Sequence, residues 1–129
     1  MIINLIQTIL YVKEQQVSTD FYTALLQRTP DLDVPGMTEF NIGSGAKLGL
    51  MPNSGIAKIL SGKTPDPALG IGIPRCELYL YVEDVVQAYN NAIQINAKLI
   101  SPIQNRNWGD RACYFADPDG HIIGFAQRL

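Results

Sequence analysis

Histidine is nearly absent from this chain of 129 residues. His121 stands alone, which excludes a zinc site built on several imidazoles. Cysteine is scarce as well. Cys76 and Cys113 both lie inside apolar runs, where reduced buried thiols are expected, and two residues do not make a disulfide scaffold. Charge of either sign is not in excess: the net value is −2 and lysine and arginine are scattered, so no basic stripe can track a phosphate backbone and nucleic acid is not an expected partner. So mild an acidic balance suits cationic small molecules slightly better than anionic ones. No run approaches about 18 apolar residues, the length that spans a bilayer. The opening MIINLIQTILYVK is apolar without a basic leader or a small-residue cleavage site, so no membrane association and a cytoplasmic location are expected. The length suits a single domain.

Three local motifs point to chemistry and fall short of it. Ser61-Gly62-Lys63-Thr64 resembles the end of a phosphate-binding loop, but that loop needs glycine at position 57, which is Ala57, and no strong strand precedes it. Asp117-Pro118-Asp119-Gly120 resembles part of a calcium loop without its third acidic position or its distant glutamate. A hairpin turn accounts for it better, with the aspartates bonding their own backbone and glycine supplying a left-handed residue. His121 has no nucleophile near it in sequence and reads as a surface or strand-edge residue.

What the chain does contain is a repeat. Leu10-Tyr11-Val12-Lys13-Glu14 returns seventy positions later as Leu80-Tyr81-Val82-Glu83-Asp84, and Phe40 to Leu50 returns after seventy-five as Phe115 to Phe125. In the second pair Gly45 matches Gly120 and Gly49 matches Gly124. Periodicity predicts the same order of elements in each copy. The first has a strand over Leu5–Val12 buried on both sides, a helix capped by Ser18 and stopped at Thr29-Pro30, and strands over Met37–Ile42 and Ala46–Met51; a further short strand falls somewhere within Asp31 to Met37. Pro52 to Gly72 reads as loop. The second copy has a strand over Cys76–Val82, a helix over Val85–Ile95, a short strand at Leu99-Ile100, and a hairpin of Arg111–Phe115 with His121–Gln127.

Two stretches now resemble a known family. Ile9-Leu10-Tyr11-Val12 followed by Ser18-x-x-Phe21-Tyr22 and Leu25-Leu26, together with Trp108-Gly109-x-Arg111-x-x-Tyr114-Phe115-x-Asp117-Pro118-Asp119-Gly120 and a closing strand through Ala126-Gln127, resemble the vicinal oxygen chelate superfamily of glyoxalase I, extradiol dioxygenases and bleomycin or fosfomycin resistance proteins. The resemblance covers nearly the whole chain. It implies an α+β fold in which residues 1–129 form one glyoxalase-like domain of two βαβββ modules, about 1–65 and 72–129. Their eight strands form a curved mixed sheet around an open cleft, with the helices outside. Metal-dependent members hold one divalent ion with four inward side chains, and the corresponding positions here are Gln7, Gly49, Glu77 and Gly124. Glycine offers no donor, so an ion at this place would depend on water for most of its coordination.

Alternation along the strands puts Gln7, Ile9 and Tyr11 on the face that the resemblance turns to the cleft, with Glu77, Tyr79 and Tyr81, then Lys47, Gly49 and Met51, then Ile122, Gly124 and Ala126. Trp108 and Arg111 precede the last strands on a loop suited to cover the mouth. The candidate ligand-binding residues are therefore Gln7, Tyr11, Lys47, Gly49, Glu77, Tyr79, Tyr81, Trp108, Arg111 and Gly124. Aromatic faces among them stack on a planar or cationic ligand at about 0.5 to 2 kcal/mol each. Gly49 and Gly124 leave room for a ligand, or else simply suit a bend in the strand. Glu77 in an apolar cleft needs a cation or a donor, from Arg111, Lys47 or a ligand amine. The expectation is a homodimeric, metal-free binding protein of the antibiotic-resistance type, with no cofactor, that sequesters a small aromatic or cationic compound. The alternatives are a metal-dependent lyase, of the lactoylglutathione lyase kind, or a dioxygenase using Gln7 and Glu77, and a metal-free enzyme with Glu77 as general base.

Overall fold

Alternation of apolar and polar residues decides which face of each strand meets a helix, and the two halves of the chain use it in the same way. In the computed structural model, which describes residues 1–129, the chain divides into two compact units, Met1–Ile71 and Gly72–Leu129. The first holds β1 (Ile6–Val12), α1 (Gln15–Leu26), β2 (Leu32–Val34), β3 (Met37–Gly43), β4 (Ala46–Pro52), α2 (Asn53–Leu60) and a single 3-10 turn at Pro67–Gly70. Its sheet runs β1-β4-β3-β2, with β1 parallel to β4 and the other pairs antiparallel. The second holds β5 (Glu77–Tyr81), α3 (Val85–Gln94), β6 (Lys98–Asn105), β7 (Asp110–Ala116) and β8 (Ile122–Arg128), ordered β5-β8-β7-β6 with β5 parallel to β8. Two four-stranded mixed sheets with three α-helices make this an α+β fold, as expected.

The helix-facing side of each sheet forms its core. In the first unit Leu10, Val12, Tyr22, Phe40, Leu48 and Leu50 are buried; in the second Val85, Ala92, Phe115, Ile123 and Phe125 are. Phe40 and Phe115, equivalent by the repeat, are both fully buried, and Phe115 meets Tyr89 and Phe125 with ring centroids 5.6 and 6.5 Å away. The turn at Asp117 behaves as its residues require. Oδ1 of Asp117 accepts from the backbone N–H of Asp119 and of His121, and Gly120 has φ +87° with no room for a Cβ, which would stand 2.9 Å from Cα of Gly72. No helix is long and apolar enough to cross a membrane.

Several expectations need correction. Helix α1 begins at Gln15 rather than at a Ser18 cap; its N-cap Glu14 makes no side-chain hydrogen bond, and Ser18 is fully buried within the helix. Gln15 fixes this start instead, donating to the Val34 carbonyl and the Thr38 hydroxyl and accepting from the Gly36 N–H. The stretch after Pro52 is not all loop: α2 forms there with Ile56 buried, and it stops where Ser61 turns left-handed. Leu99-Ile100 belongs to an eight-residue edge strand, β6, whose register shifts twice between Leu99 and Gln104. Those bulges accommodate Pro102, which has no N–H for the ladder. Strand β1 is buried on one face only, since Ile9 and Tyr11 are exposed while Leu10 and Val12 are not. Cys76 is exposed; Cys113 is buried as expected. The other expected strands and α3 lie within one residue of their observed ends.

The two crossover helices differ in how they start. Oδ1 of Asp84 accepts from the Gln87 N–H and caps α3. Asp84→Ala should cost about 1 kcal/mol in urea unfolding, whereas Glu14→Ala should change stability by less than about 0.5 kcal/mol.

Candidate functional site

In the first unit the pairing of β1 with β4 sets Gln7 beside Lys47 and Ile9 beside Gly49, and β3 adds Glu39 opposite Gly49. Nε2 of Gln7 donates to Oε2 of Glu39 at 2.9 Å, and Nζ of Lys47 lies 3.5 Å from Oε1 of the same carboxylate. A Cβ on Gly49 would stand 2.7 Å from Nε2 of Gln7 and 3.1 Å from Cγ1 of Ile9. The space over Gly49 is thus filled by its own neighbours. Tyr11 is partly exposed on the strand face that Gln7 and Ile9 share.

The second unit builds a different group on the same plan. Tyr79 and Tyr81 project from one face of β5, and Gly124 on β8 lies opposite Tyr79. A Cβ on Gly124 would meet Cδ2 of Tyr79 at 2.7 Å and Cε1 of Tyr114 at 3.2 Å. Glycine here lets two phenol rings lie against the backbone, so the room expected for a ligand is occupied by the protein itself. Asp110, the first residue of β7, is fully buried. Its Oδ2 accepts from the hydroxyls of Tyr79 (2.9 Å) and Tyr81 (2.8 Å), and the indole N–H of Trp108 donates to the Tyr79 hydroxyl at 3.1 Å. The Tyr79 and Tyr81 rings meet edge to face at 5.4 Å, and the Arg128 guanidinium lies 4.7 Å from the centroid of the Tyr81 ring. Arg106 sits similarly over Tyr114 at 5.1 Å.

These contacts move the protons in opposite directions. Desolvation pushes the Asp110 carboxyl upward, but the two phenol donors, the Arg128 charge and the Trp108 N–H together outweigh it and hold the group below its ordinary value. Burial, reinforced by the bond to Asp110 and only partly relieved by Trp108, pushes the Tyr79 phenol up to about 12. Tyr81 also rises, chiefly because its proton is held by Asp110. The result is a carboxylate that stays ionised beneath phenols that stay protonated.

Of the residues expected from sequence, the structure gathers Gln7, Lys47 and Gly49 in one unit and Tyr79, Tyr81, Trp108 and Gly124 in the other. Glu77 begins the edge strand β5 and is exposed, so water solvates it and no internal cation is required. Arg111 is exposed on the face of β7 opposite Asp110 and Tyr114 and takes no part in the cluster. Glu39, Asp110 and Arg128 were missed. Strand parity held a signal for Asp110: counting back by twos from Tyr114, which pairs with Gly124, arrives at Asp110 on the same face.

Residues 5–129 match the model of the glyoxalase-like domain. The chain belongs to the glyoxalase-like family of the vicinal oxygen chelate superfamily. An uncharacterised protein of Mycobacterium bovis is 27% identical over 92% of this chain and 79% of its own length, and one from Mycobacterium tuberculosis H37Rv is 27% identical over 92% and 71%. A glyoxalase-related enzyme from Fulvimarina pelagi superposes with a TM-score of 0.79 at 18% identity, covering 95% of this chain and 86% of that one. A glyoxalase/bleomycin resistance protein/dioxygenase from Nocardioides superposes at 0.76 with 24% identity, covering 95% and 82%. At these identities the solved structures share the fold with this glyoxalase-like chain, and nothing narrower.

The metal of the superfamily's enzymes does not fit the donor set found here. Gly49 and Gly124 carry no ligand atom, and their places are filled by Gln7 with Ile9 and by Tyr79 with Tyr114. The Glu39 carboxylate nearby is already engaged, accepting from Nε2 of Gln7 with one oxygen and facing the Lys47 ammonium with the other.

Two outcomes follow for the aromatic group. Tyr79 keeps its proton in the folded state up to about pH 12, whereas an unfolded tyrosine loses it near 10, so stability should fall as pH rises through that interval. Tyr79→Phe should flatten that decline and remove one tyrosinate absorbance step near pH 12. Gly124→Ala should displace the Tyr79 ring and lower the unfolding free energy by about 1 to 3 kcal/mol, measured by urea titration.

Proposed function

We propose that this glyoxalase-like chain is a metal-free small-molecule-binding protein, of the kind that sequesters a compact aromatic or cationic compound, and that Tyr79, Tyr81, Trp108 and Asp110 form its recognition surface. One observation carries the reading: the fully buried Asp110 carboxyl group is tied through the Tyr81 and Tyr79 hydroxyls to two aromatic side chains that are themselves wide open, Tyr81 at 53% and Trp108 at 56% exposure. Large aromatic faces are costly to leave in water, and as docking surfaces they supply stacking and cation–π attraction. The anionic floor adds a preference for positive charge. The lack of ligand atoms at Gly49 and Gly124 favours binding over the lyase or dioxygenase chemistry in which an ion polarises substrate oxygens.

A thermal-shift panel of aromatic amines, aromatic antibiotics, thiols and 2-oxo acids, run with chelator and with added manganese, nickel or zinc, tests this. Ligand at a hundred times its dissociation constant should stabilise the protein by about 2.7 kcal/mol. The hits should be indifferent to chelator and lost in Tyr81→Ala and Trp108→Ala. Stoichiometric metal retained through purification with micromolar affinity, or hits that need added metal, would reverse the reading.

A further inference from the structure

Every polar hydrogen of the Tyr79–Tyr81–Trp108–Asp110 cluster is already assigned. Both phenols donate to Oδ2 of Asp110, and the indole donates to the Tyr79 hydroxyl. What remains can only accept. Oδ1 of Asp110 is buried with no hydrogen-bond partner, and the Tyr81 hydroxyl has a lone pair to spare. An ionised oxygen taken out of water without a donor is among the more expensive defects a fold can hold. The cluster is therefore short of one donor, and a charged donor satisfies it best. A carboxylate, phosphate or carbonyl ligand would bring more acceptors to a place that has only acceptors left.

Trp108 is the most exposed side chain of the cluster. Trp108 stands on the turn between β6 and β7, beside Gly109 at φ +90°, and its indole is held to the cluster through Tyr79. The hydrophobic core, with Phe115 and Phe125, lies on the other face of the sheet by strand alternation, so swinging Trp108 aside does not open it. The Arg128 guanidinium over Tyr81 indicates the kind of group these rings accept, since an internal cation already rests on one ring face.

Within the binding role proposed above, we infer that the cluster selects organic cations that carry at least one N–H, a primary or secondary ammonium or an amidinium. The N–H bonds Oδ1 of Asp110 after Trp108 swings off Tyr79, and the apolar part of the ligand stacks on Trp108 and Tyr81. A quaternary ammonium keeps the cation–π attraction and forfeits the hydrogen bond.

Trp108 is the sole tryptophan, so its emission reports on the site directly. The intact protein would be titrated at neutral pH with benzylamine, benzyltrimethylammonium and phenylacetate, which share a ring and differ in the head group. Benzylamine should change the emission saturably and bind about tenfold or more tighter than either of the others. Asp110→Asn should abolish that response. Because an amide there sets N–H groups against two phenol donors and lowers stability, Arg128→Gln at the exposed strand end serves as the second variant. Removing the competing guanidinium should tighten benzylamine by about threefold or more. Equal or tighter binding of benzyltrimethylammonium or phenylacetate overturns the inference while leaving the binding role standing, and weaker benzylamine binding in Arg128→Gln overturns the placement of the cation. No response to benzylamine overturns the inference outright, and the thermal-shift panel then decides the binding role by itself.

Discussion

A parallel strand pair, closed by one crossover helix, is the constraint on which each unit depends. Pairing β1 with β4 and β5 with β8 in register fixes which side chains share a face: Ile9 meets Gly49, and Tyr79 meets Gly124. A slip of one residue would turn Leu10 and Val12, or Leu78 and Leu80, away from the helices and bring the polar set into the core. Burial of one face therefore specifies the other, and the functional groups inherit their positions from apolar residues that never touch them.

On that shared plan the two copies have diverged electrostatically. Both keep a glycine at the same strand position, and both fill the space above it. In the first unit an amide, a carboxylate and an ammonium close a small polar network around Glu39. In the second, two phenols close over Asp110. The first network carries its own counterion in direct contact. The second leaves a carboxylate oxygen without a donor, with a compensating charge on Arg128 over the Tyr81 ring. That asymmetry is the reason the proposed recognition surface is assigned to the second unit and not to the first.

Much of the scaffold is legible in the sequence alone, for a physical reason. Strand periodicity, the Asp117–Gly120 turn and the long-range repeat are local or self-referential signals. The expected hairpins and the Val85 helix accordingly lie within a residue of where they form. What sequence hid depended on tertiary partners. Ser18 has the chemistry of a cap, yet Gln15 starts the helix through bonds to residues 34, 36 and 38. The run after Pro52 is punctuated like a loop but gains a helix once Ile56 finds a buried place. Alternation selected Tyr79 and Tyr81 correctly as partners on one face, while Asp110 was passed over because the expected strand began at Arg111 and left Asp110 in the loop before it, where parity cannot be counted.

The proton positions in the cluster bear on whether it binds or catalyses. A general base at neutrality needs a site that is unprotonated and ready to accept, and a general acid needs a proton that it can release. Tyr79, raised to about 12, and Tyr81, raised with it, hold their protons too firmly for either role. Asp110 is held ionised by the donors around it, so it has no proton to give, and taking one on Oδ1 would strip the charge that strengthens the bonds placing both rings. Each group is stabilised in the state it already occupies. Such an arrangement resists proton transfer and favours a fixed pattern of charge and hydrogen-bond acceptors, which is what selective binding of a cation requires.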